Sequence, residues 1–239
     1  MPASHTPTAV GTTRHEGLTA PGRYVDSDHP AVIAFAGQHA RGETDRERAV
    51  ALYYAVRDGF RYDPYQLDLT PQGMTASAVI GKGHGWCVTK AALLAAACRA
   101  AGIAARVGFA DVRNHLSTAR LRRAMGTDVF IWHGYTEILL DGAWRKATPA
   151  FNLQLCEKFG LLPLEFNGRE DSLYHPFDRQ GQRHMEYVAE RGSFEDVPFA
   201  RIIADLRSFY PAWLQAPIDM TDHDFLADAT REINPEPAR

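Results

Sequence analysis

Three cysteines and ten histidines are the residues of this chain whose types could perform nucleophilic chemistry. A thiol attacks carbonyl carbon as its thiolate, and a free cysteine has a pKa of about 8.5. A helix N-terminus favours the anion, because its first N–H groups lack intrahelical acceptors and the helix dipole is positive there. Cys87 has that setting. It follows Gly81-Lys82-Gly83-His84-Gly85-Trp86 and opens an Ala/Leu-rich run that continues to a C-terminal glycine, Gly102. The three alternating glycines read as a flexible loop open to close approach of a substrate backbone. The N–H groups of the helix start are suited to an oxyanion formed during acyl transfer. Cys98 falls about three turns further along the same helix, in an Ala-rich stretch that suits a small core side chain. Cys156 lacks a comparable context.

A thiol nucleophile needs a base, usually a histidine from elsewhere in the chain. His5, His15, His29 and His39 precede the segments of interest and His223 lies near the far end. His84 is in the glycine-rich loop, His115 in a second loop, and His175 and His184 in an irregular region. His133 differs, because it sits inside a strand, between Trp132 and Gly134. A strand holds an imidazole rigidly, and a neighbouring glycine leaves open space beside it.

The runs 128–140 and 143–149 are joined by Asp141-Gly142, a strong signal for a two-residue hairpin. That turn places Leu140 opposite Ala143 and Glu137 opposite Lys146, a favourable cross-strand charge pair. Continued, the register places Tyr135 opposite Thr148 and His133 opposite Ala150. A group orienting His133 is therefore expected near positions 148–152, where Thr148 and Asn152 are the polar residues. Pro149 is expected to interrupt the pairing.

Other elements must position these groups. Thr44 and Glu47 form a capping box ahead of a helix running to Phe60. Tyr62-Asp63-Pro64 reads as a turn, and Ile103 to Phe109 alternates as a strand. Beyond Leu161 the pattern weakens. Strands are expected around Leu164–Phe166 and Met185–Val188, and a helix over Val197–Phe209 with Phe199, Ile202, Ile203, Leu206 and Phe209 on one face. The implied organisation is a lead-in over 1–22, a core over 23–155, a C-terminal extension over 156–228 and a tail over 229–239. Substrate-binding walls are expected from the C-terminal region and the segment 111–126.

Composition limits the alternatives. With 239 residues, 45% hydrophobic and 23% charged, the chain is long enough to bury a core and is not a disordered polyelectrolyte. A formal charge of −3 argues against a broad nucleic-acid surface, and Arg120-Leu121-Arg122-Arg123 reads as a solvated helical face. The odd, sparse cysteines exclude a disulfide framework and suit a reducing cytoplasm. No secretory signal and no membrane span are expected. Cys87, His84, His133 and His115 lack compact metal-ligand spacing, so no metal or other cofactor is expected.

Taken together, Gly85-Trp86-Cys87 with its helix, Ala101–Val107, the strand Trp132–Leu140, Asp141-Gly142 with Trp144, and Thr148-Pro149 resemble the transglutaminase-like (transglutaminase-core) family of papain-like thiol enzymes. The resemblance runs over roughly residues 40–150. It implies an α+β papain-like core, with the nucleophile helix packed on an antiparallel sheet and a C-terminal α/β extension. It also implies Cys87 as nucleophile and His133 as general base and acid, acting on a peptide or amide through a thioester. The family's third member is an Asp before Pro, where this chain has Thr148. Asn152, or a carboxylate from 166–191 such as Asp171, Asp178 or Glu186, is the expected substitute. The alternative is a catalytically silent binding domain. Trp86, Tyr62, Tyr65 and Gln66 are candidates for the oxyanion or substrate side of the site.

Overall fold

A computed structural model describes residues 18–115, 117–173, 178–181, 184–211 and 225–228. In chain order the elements are α1 (Pro30–His39), α2 (Asp45–Gly59), β1 (Arg61–Tyr62), α3 (Ala76–Lys82), β2 (His84–Gly85), α4 (Cys87–Ala100), β3 (Ala105–Asn114), α5 (Ala119–Met125), β4 (Val129–Leu140), β5 (Ala143–Ala147), α6 (Leu153–Phe159), β6 (Met185–Phe194) and α7 (Phe199–Phe209). His5, His15, His175, His223 and the expected tail lie outside the described residues.

The centre of the molecule is α4. Its sequence is apolar on all sides, and every residue from Cys87 to Arg99 is buried, as expected of a helix without a polar stripe. It packs against β4 on one side and against α1, α2 and α3 on the others. The Thr136 hydroxyl of β4 donates to the Ala91 carbonyl at 2.8 Å. α2 begins as the capping box requires, with Glu47 N–H on Thr44 Oγ1 at 3.2 Å and Thr44 N–H on Glu47 Oε2 at 3.0 Å.

The segment expected as a flexible glycine loop is ordered. Gly81 lies in α3, and Gly83 ends that helix in the left-handed conformation (φ 73°). Gly85 belongs to β2, paired in parallel with Tyr62. A Cβ on Gly85 would stand 2.8 Å from Thr89 Oγ1, so its close approach is to the first turn of α4.

The sheet order is β5-β4-β3-β6, antiparallel throughout. Asp141 and Gly142 both have positive φ (49° and 78°), which matches the twist of a two-residue hairpin. Leu140 faces Ala143 and Glu137 faces Lys146, in the expected register. Their charges nevertheless pair elsewhere: Glu137 with Arg106 at 2.5 Å, and Lys146 with Glu190 at 3.0 Å. β3 and β6 bring these closer partners.

The ladder ends at Thr136–Ala147, so the pairings Tyr135–Thr148 and His133–Ala150 do not form. Pro149 has no N–H to extend it. The chain turns instead toward Ser172, whose N–H donates to the Lys146 carbonyl at 2.7 Å.

The C-terminal part is integral to the fold. β6 completes the sheet beside β3, and α6 runs across the expected boundary at 155/156. Leu164–Phe166 is not a strand. Side chains of α2 satisfy its backbone: Arg57 Nη1 donates to Leu164 O at 2.6 Å, Tyr53 Oη donates to the same carbonyl at 2.9 Å, and Phe166 N–H donates to Tyr54 Oη at 3.2 Å. α7 forms as expected and buries Ile202 and Leu206, but Phe209 remains 47% exposed. Residues 18–22, expected within the lead-in, are tied down, with Leu18 buried and the Ala20 carbonyl accepting from Arg99 Nη1 at 2.8 Å. Among the described residues no helix is long and apolar enough to cross a membrane.

Candidate active site

Cys87 is the first residue of α4, and Trp86 precedes it as N-cap in an extended conformation. The Trp86 N–H donates to Thr89 Oγ1 at 3.2 Å, which fixes the entry to the helix. Cys87 and His133 line one cavity of about 490 Å³ of empty space. Its other described walls are Tyr62, Pro64, Leu67 and Trp86 on the β1–β2 side, Leu121 and Met125 of α5, Phe130 and Ile131 of β4, and Leu206 and Tyr210 at the end of α7.

Gly134 makes this meeting possible, by a route different from the open space expected beside it. A Cβ there would stand 2.9 Å from Val88 Cα and 3.0 Å from the Cys87 carbonyl oxygen. The space is filled by α4, which packs directly onto β4.

His133 follows an irregularity in β4. Ala110 pairs with His133 and Val112 with Phe130, so Ile131 and Trp132 together oppose Asp111. Trp132 has φ 59°, an outlier for a bulky side chain. Such conformations persist only when the surroundings over-determine them, and here they do. The Trp132 N–H donates to Asp111 Oδ1 at 3.0 Å, and its indole N–H donates to Asp205 Oδ2 at 2.8 Å. Arg191 joins the two carboxylates, reaching Asp111 at 2.5 and 2.9 Å and Asp205 at 2.7 Å, with its guanidinium 4.8 Å from the Trp132 ring centroid. Residues of β3, β6 and α7 thus clamp the backbone immediately before His133. Nothing in the local sequence signals this clamp, because its bonded members lie 14 to 80 positions apart.

Lys90 is a further residue that the motif reading passes over. It is fully buried one turn from Cys87, and its ammonium donates to the carbonyls of Arg57, Phe60 and Ala150 at 2.9, 2.7 and 2.8 Å. Burial pushes its pKa down to about 7. It ties α4 to the end of α2 and to the segment after β5. A lone lysine in an otherwise apolar helix was its only signal.

The other candidates take distinct places. Asn152 accepts the Tyr62 N–H on Oδ1 at 3.1 Å, which pins a cavity wall. Thr148 is buried and its carbonyl accepts from Tyr53 Oη at 3.2 Å; its hydroxyl has no hydrogen-bond partner among the described residues. Gln66 is exposed and donates to Asp63 Oδ2 at 2.8 Å, away from the cavity lining. Tyr65 braces α5 through Thr118 Oγ1 at 2.8 Å and Asp228 at 3.1 Å. Trp86 is buried beside Cys87, and its indole N–H has no partner among the described residues. Asp171 accepts the Lys146 N–H at 2.9 Å, Asp178 the Gln180 N–H at 2.8 Å, and Glu186 lies 3.6 Å from Arg113. None of these three carboxylates lines the cavity. Among the described residues no group of three or more His, Cys, Asp or Glu side chains could hold a metal ion.

The resting charge state also differs from the sequence expectation. Burial pushes the Cys87 thiol up to about 11, outweighing the N–H groups of Gly134, Val88 and Cys87 that favour the anion. Burial pushes the His133 imidazole down to about 3. Both shifts favour a neutral thiol beside a neutral imidazole. Below such a pKa the thiolate fraction grows about tenfold per pH unit. Alkylation of Cys87 by iodoacetamide, followed by peptide mapping, should therefore accelerate about tenfold per unit between roughly pH 7 and 9. A rate independent of pH from about 5 to 8 would instead reveal a preformed thiolate. Cys98 and Cys156 are also buried, with thiols pushed up to about 12 and about 11.

Residues 33–149 match the model of the Transglutaminase-like superfamily. Among solved structures the chain is similar to a "Putative Cysteine Protease from Cytophaga hutchinsonii", with 16% identity, a TM-score of 0.50, and alignment over 82% of this chain and 52% of that one. It thus spans about half the length of that relative. A "putative protease" from Parabacteroides distasonis aligns over 55% of this chain and 26% of its own, with 18% identity and a TM-score of 0.36. No curated protein sequence matches the chain. The likeness to the Cytophaga protein is one of fold: α+β, papain-like, of the transglutaminase-core type. The segment 33–149 is thus of the Transglutaminase-like superfamily.

Proposed function

We propose that this protein is a thiol-dependent acyl-transfer enzyme acting on amide or ester carbonyls. The observation that carries the reading is the meeting of Cys87, at the start of α4, and His133, behind a clamped bulge of β4, in one cavity. With both groups neutral, His133 takes the thiol proton as Sγ bonds to the carbonyl carbon. The developing oxyanion meets the Cys87 N–H at the helix start and the indole N–H of Trp86, which has no partner among the described residues. When the tetrahedral species collapses, the carbon–nitrogen or carbon–oxygen bond breaks and His133 returns the proton to the leaving group. Water or an amine then attacks the thioester and gives its proton to His133. The carbon–sulfur bond breaks and Sγ is reprotonated. A peptide or amide is the natural substrate on this reading.

One observation favours a second reading, a silent binding domain. In sequence, Thr148 before Pro149 takes the place of the Asp that the resemblance implies, and a hydroxyl supplies no charge to stabilise imidazolium. The two readings separate by mass spectrometry after brief exposure to p-nitrophenyl acetate and an acid quench. The enzyme carries an acetyl group on the peptide containing Cys87, which decays as acetate accumulates. An unmodified Cys87 peptide with no acid released, from this ester and from the p-nitrophenyl ester of 3-phenylpropionate alike, identifies the silent domain.

A further inference from the structure

We propose that the cavity beside Cys87 binds an uncharged, apolar acyl group, aromatic or branched aliphatic, of the substrate; this rests on the acyl-transfer reading above. The walls away from the nucleophile are Leu121 and Met125, Phe130 and Ile131, Leu206 and Tyr210. Leu121 and Met125 are four apart on α5 and present one apolar face to the cavity. The arginines of the same helix are engaged elsewhere: Arg120 with Asp228 at 2.7 Å and Arg122 with the Ser117 carbonyl. Arg122 and Arg123 border a separate, open hollow together with Asp128.

The one polar atom that Tyr210 brings is spent on β4, donating to Val129 O at 2.8 Å and accepting Ile131 N–H at 2.9 Å, so its ring is left as wall. None of the described lining residues carries a formal charge, since burial keeps His133 neutral. A carboxylate or ammonium entering here would lose its water and find no counter-charge. The acyl group stays bonded to Sγ through the thioester, whereas the leaving group must exit. An apolar space beside the sulfur therefore suits the acyl side.

Leu206 and Tyr210 lie beyond the family-matched segment, and Leu121 and Met125 lie in the stretch between β3 and β4. Part of the selective wall thus comes from outside the matched segment.

The test compares p-nitrophenyl esters of acetate, pentanoate, 3-phenylpropionate and glutarate on the full chain, with spontaneous hydrolysis subtracted. In each, the bond from Sγ to the acyl carbon forms as the bond to p-nitrophenolate breaks. The thiol proton passes through His133 to solvent, and water later releases the carboxylic acid and restores the thiol. The expected kcat/KM for 3-phenylpropionate exceeds that for acetate by about 100-fold, and pentanoate exceeds glutarate by at least about tenfold. Met125→Lys should lower the phenylpropionate-to-acetate ratio about tenfold and raise the glutarate-to-pentanoate ratio. Ratios within one preparation do not depend on how much of it folds. Acylation of Cys87 with a flat series, or with glutarate equal to pentanoate, overturns the apolar pocket and leaves the acyl-transfer reading standing. Absence of acylation by all four esters overturns that reading itself.

Discussion

Replacing Cys87 with alanine lowers kcat/KM toward an accepted ester by at least about 10³-fold, while the thermal midpoint moves by only a few degrees. The asymmetry follows from two roles of the residue. In the reaction, sulfur forms the covalent bond, and no other described residue of the cavity lining carries a thiol or an aliphatic hydroxyl. Without the nucleophile only positioning and oxyanion contacts remain, and losses of this kind are large. In the fold, Cys87 is a small buried side chain at the end of a helix whose remaining residues hold it in place. Removing one sulfur atom costs about 1 kcal/mol, which is about 2–4 °C for a chain of this size. Steady-state turnover and differential scanning calorimetry on the same preparation separate the two effects. Unchanged turnover in the variant would place the chemistry elsewhere or show that the measured activity belongs to a contaminant.

The second large effect is expected at a residue that takes no part in the chemistry. Gly134→Ala should cost about 1–3 kcal/mol of stability and lower turnover by about 10²-fold. The added methyl meets Val88 Cα and the Cys87 carbonyl, both backbone, so no flexible side chain can swing aside. Either α4 or β4 must shift, and these are the two elements that carry Cys87 and His133. Gly81→Ala is the control. It lies in α3 with nothing within 4 Å of the new methyl, and is expected to be neutral or slightly stabilising. If Gly134→Ala keeps both its melting temperature and its turnover, the contact between strand and helix does not set the geometry of the site.

The legible parts of this molecule were those written in local pattern. The capping box at Thr44 and Glu47, the Ala/Leu helix beginning at Cys87 and the Asp141-Gly142 turn each rest on contacts between residues a few positions apart, and each forms as expected. The hairpin register followed from the turn alone. Where the expectation depended on distant partners it failed in characteristic ways. The glycine loop proved to be a helix end and a strand, because Gly85 is required by the first turn of α4 rather than by a substrate. Glu137 and Lys146 sit opposite one another but bond to Arg106 and Glu190, since β3 and β6 offer better-placed charges than the hairpin does. Asn152 holds Tyr62.

By itself, then, the amino-acid sequence determined the α+β class, the helix that carries Cys87, the strand that carries His133, and which cysteine has a helix start. All of these follow from short-range periodicity, capping and turn chemistry. Only the tertiary structure decided how the pair is held and in what charge state. Burial sets the neutral thiol and imidazole, because desolvation outweighs the field of the helix N-terminus. The left-handed Trp132 ahead of His133 is held by Asp111, Arg191 and Asp205, three residues from three elements. The apolar wall likewise comes from α5, β4 and the end of α7. Such features arise from side chains far apart in sequence meeting in a low-dielectric interior, and no local pattern encodes them.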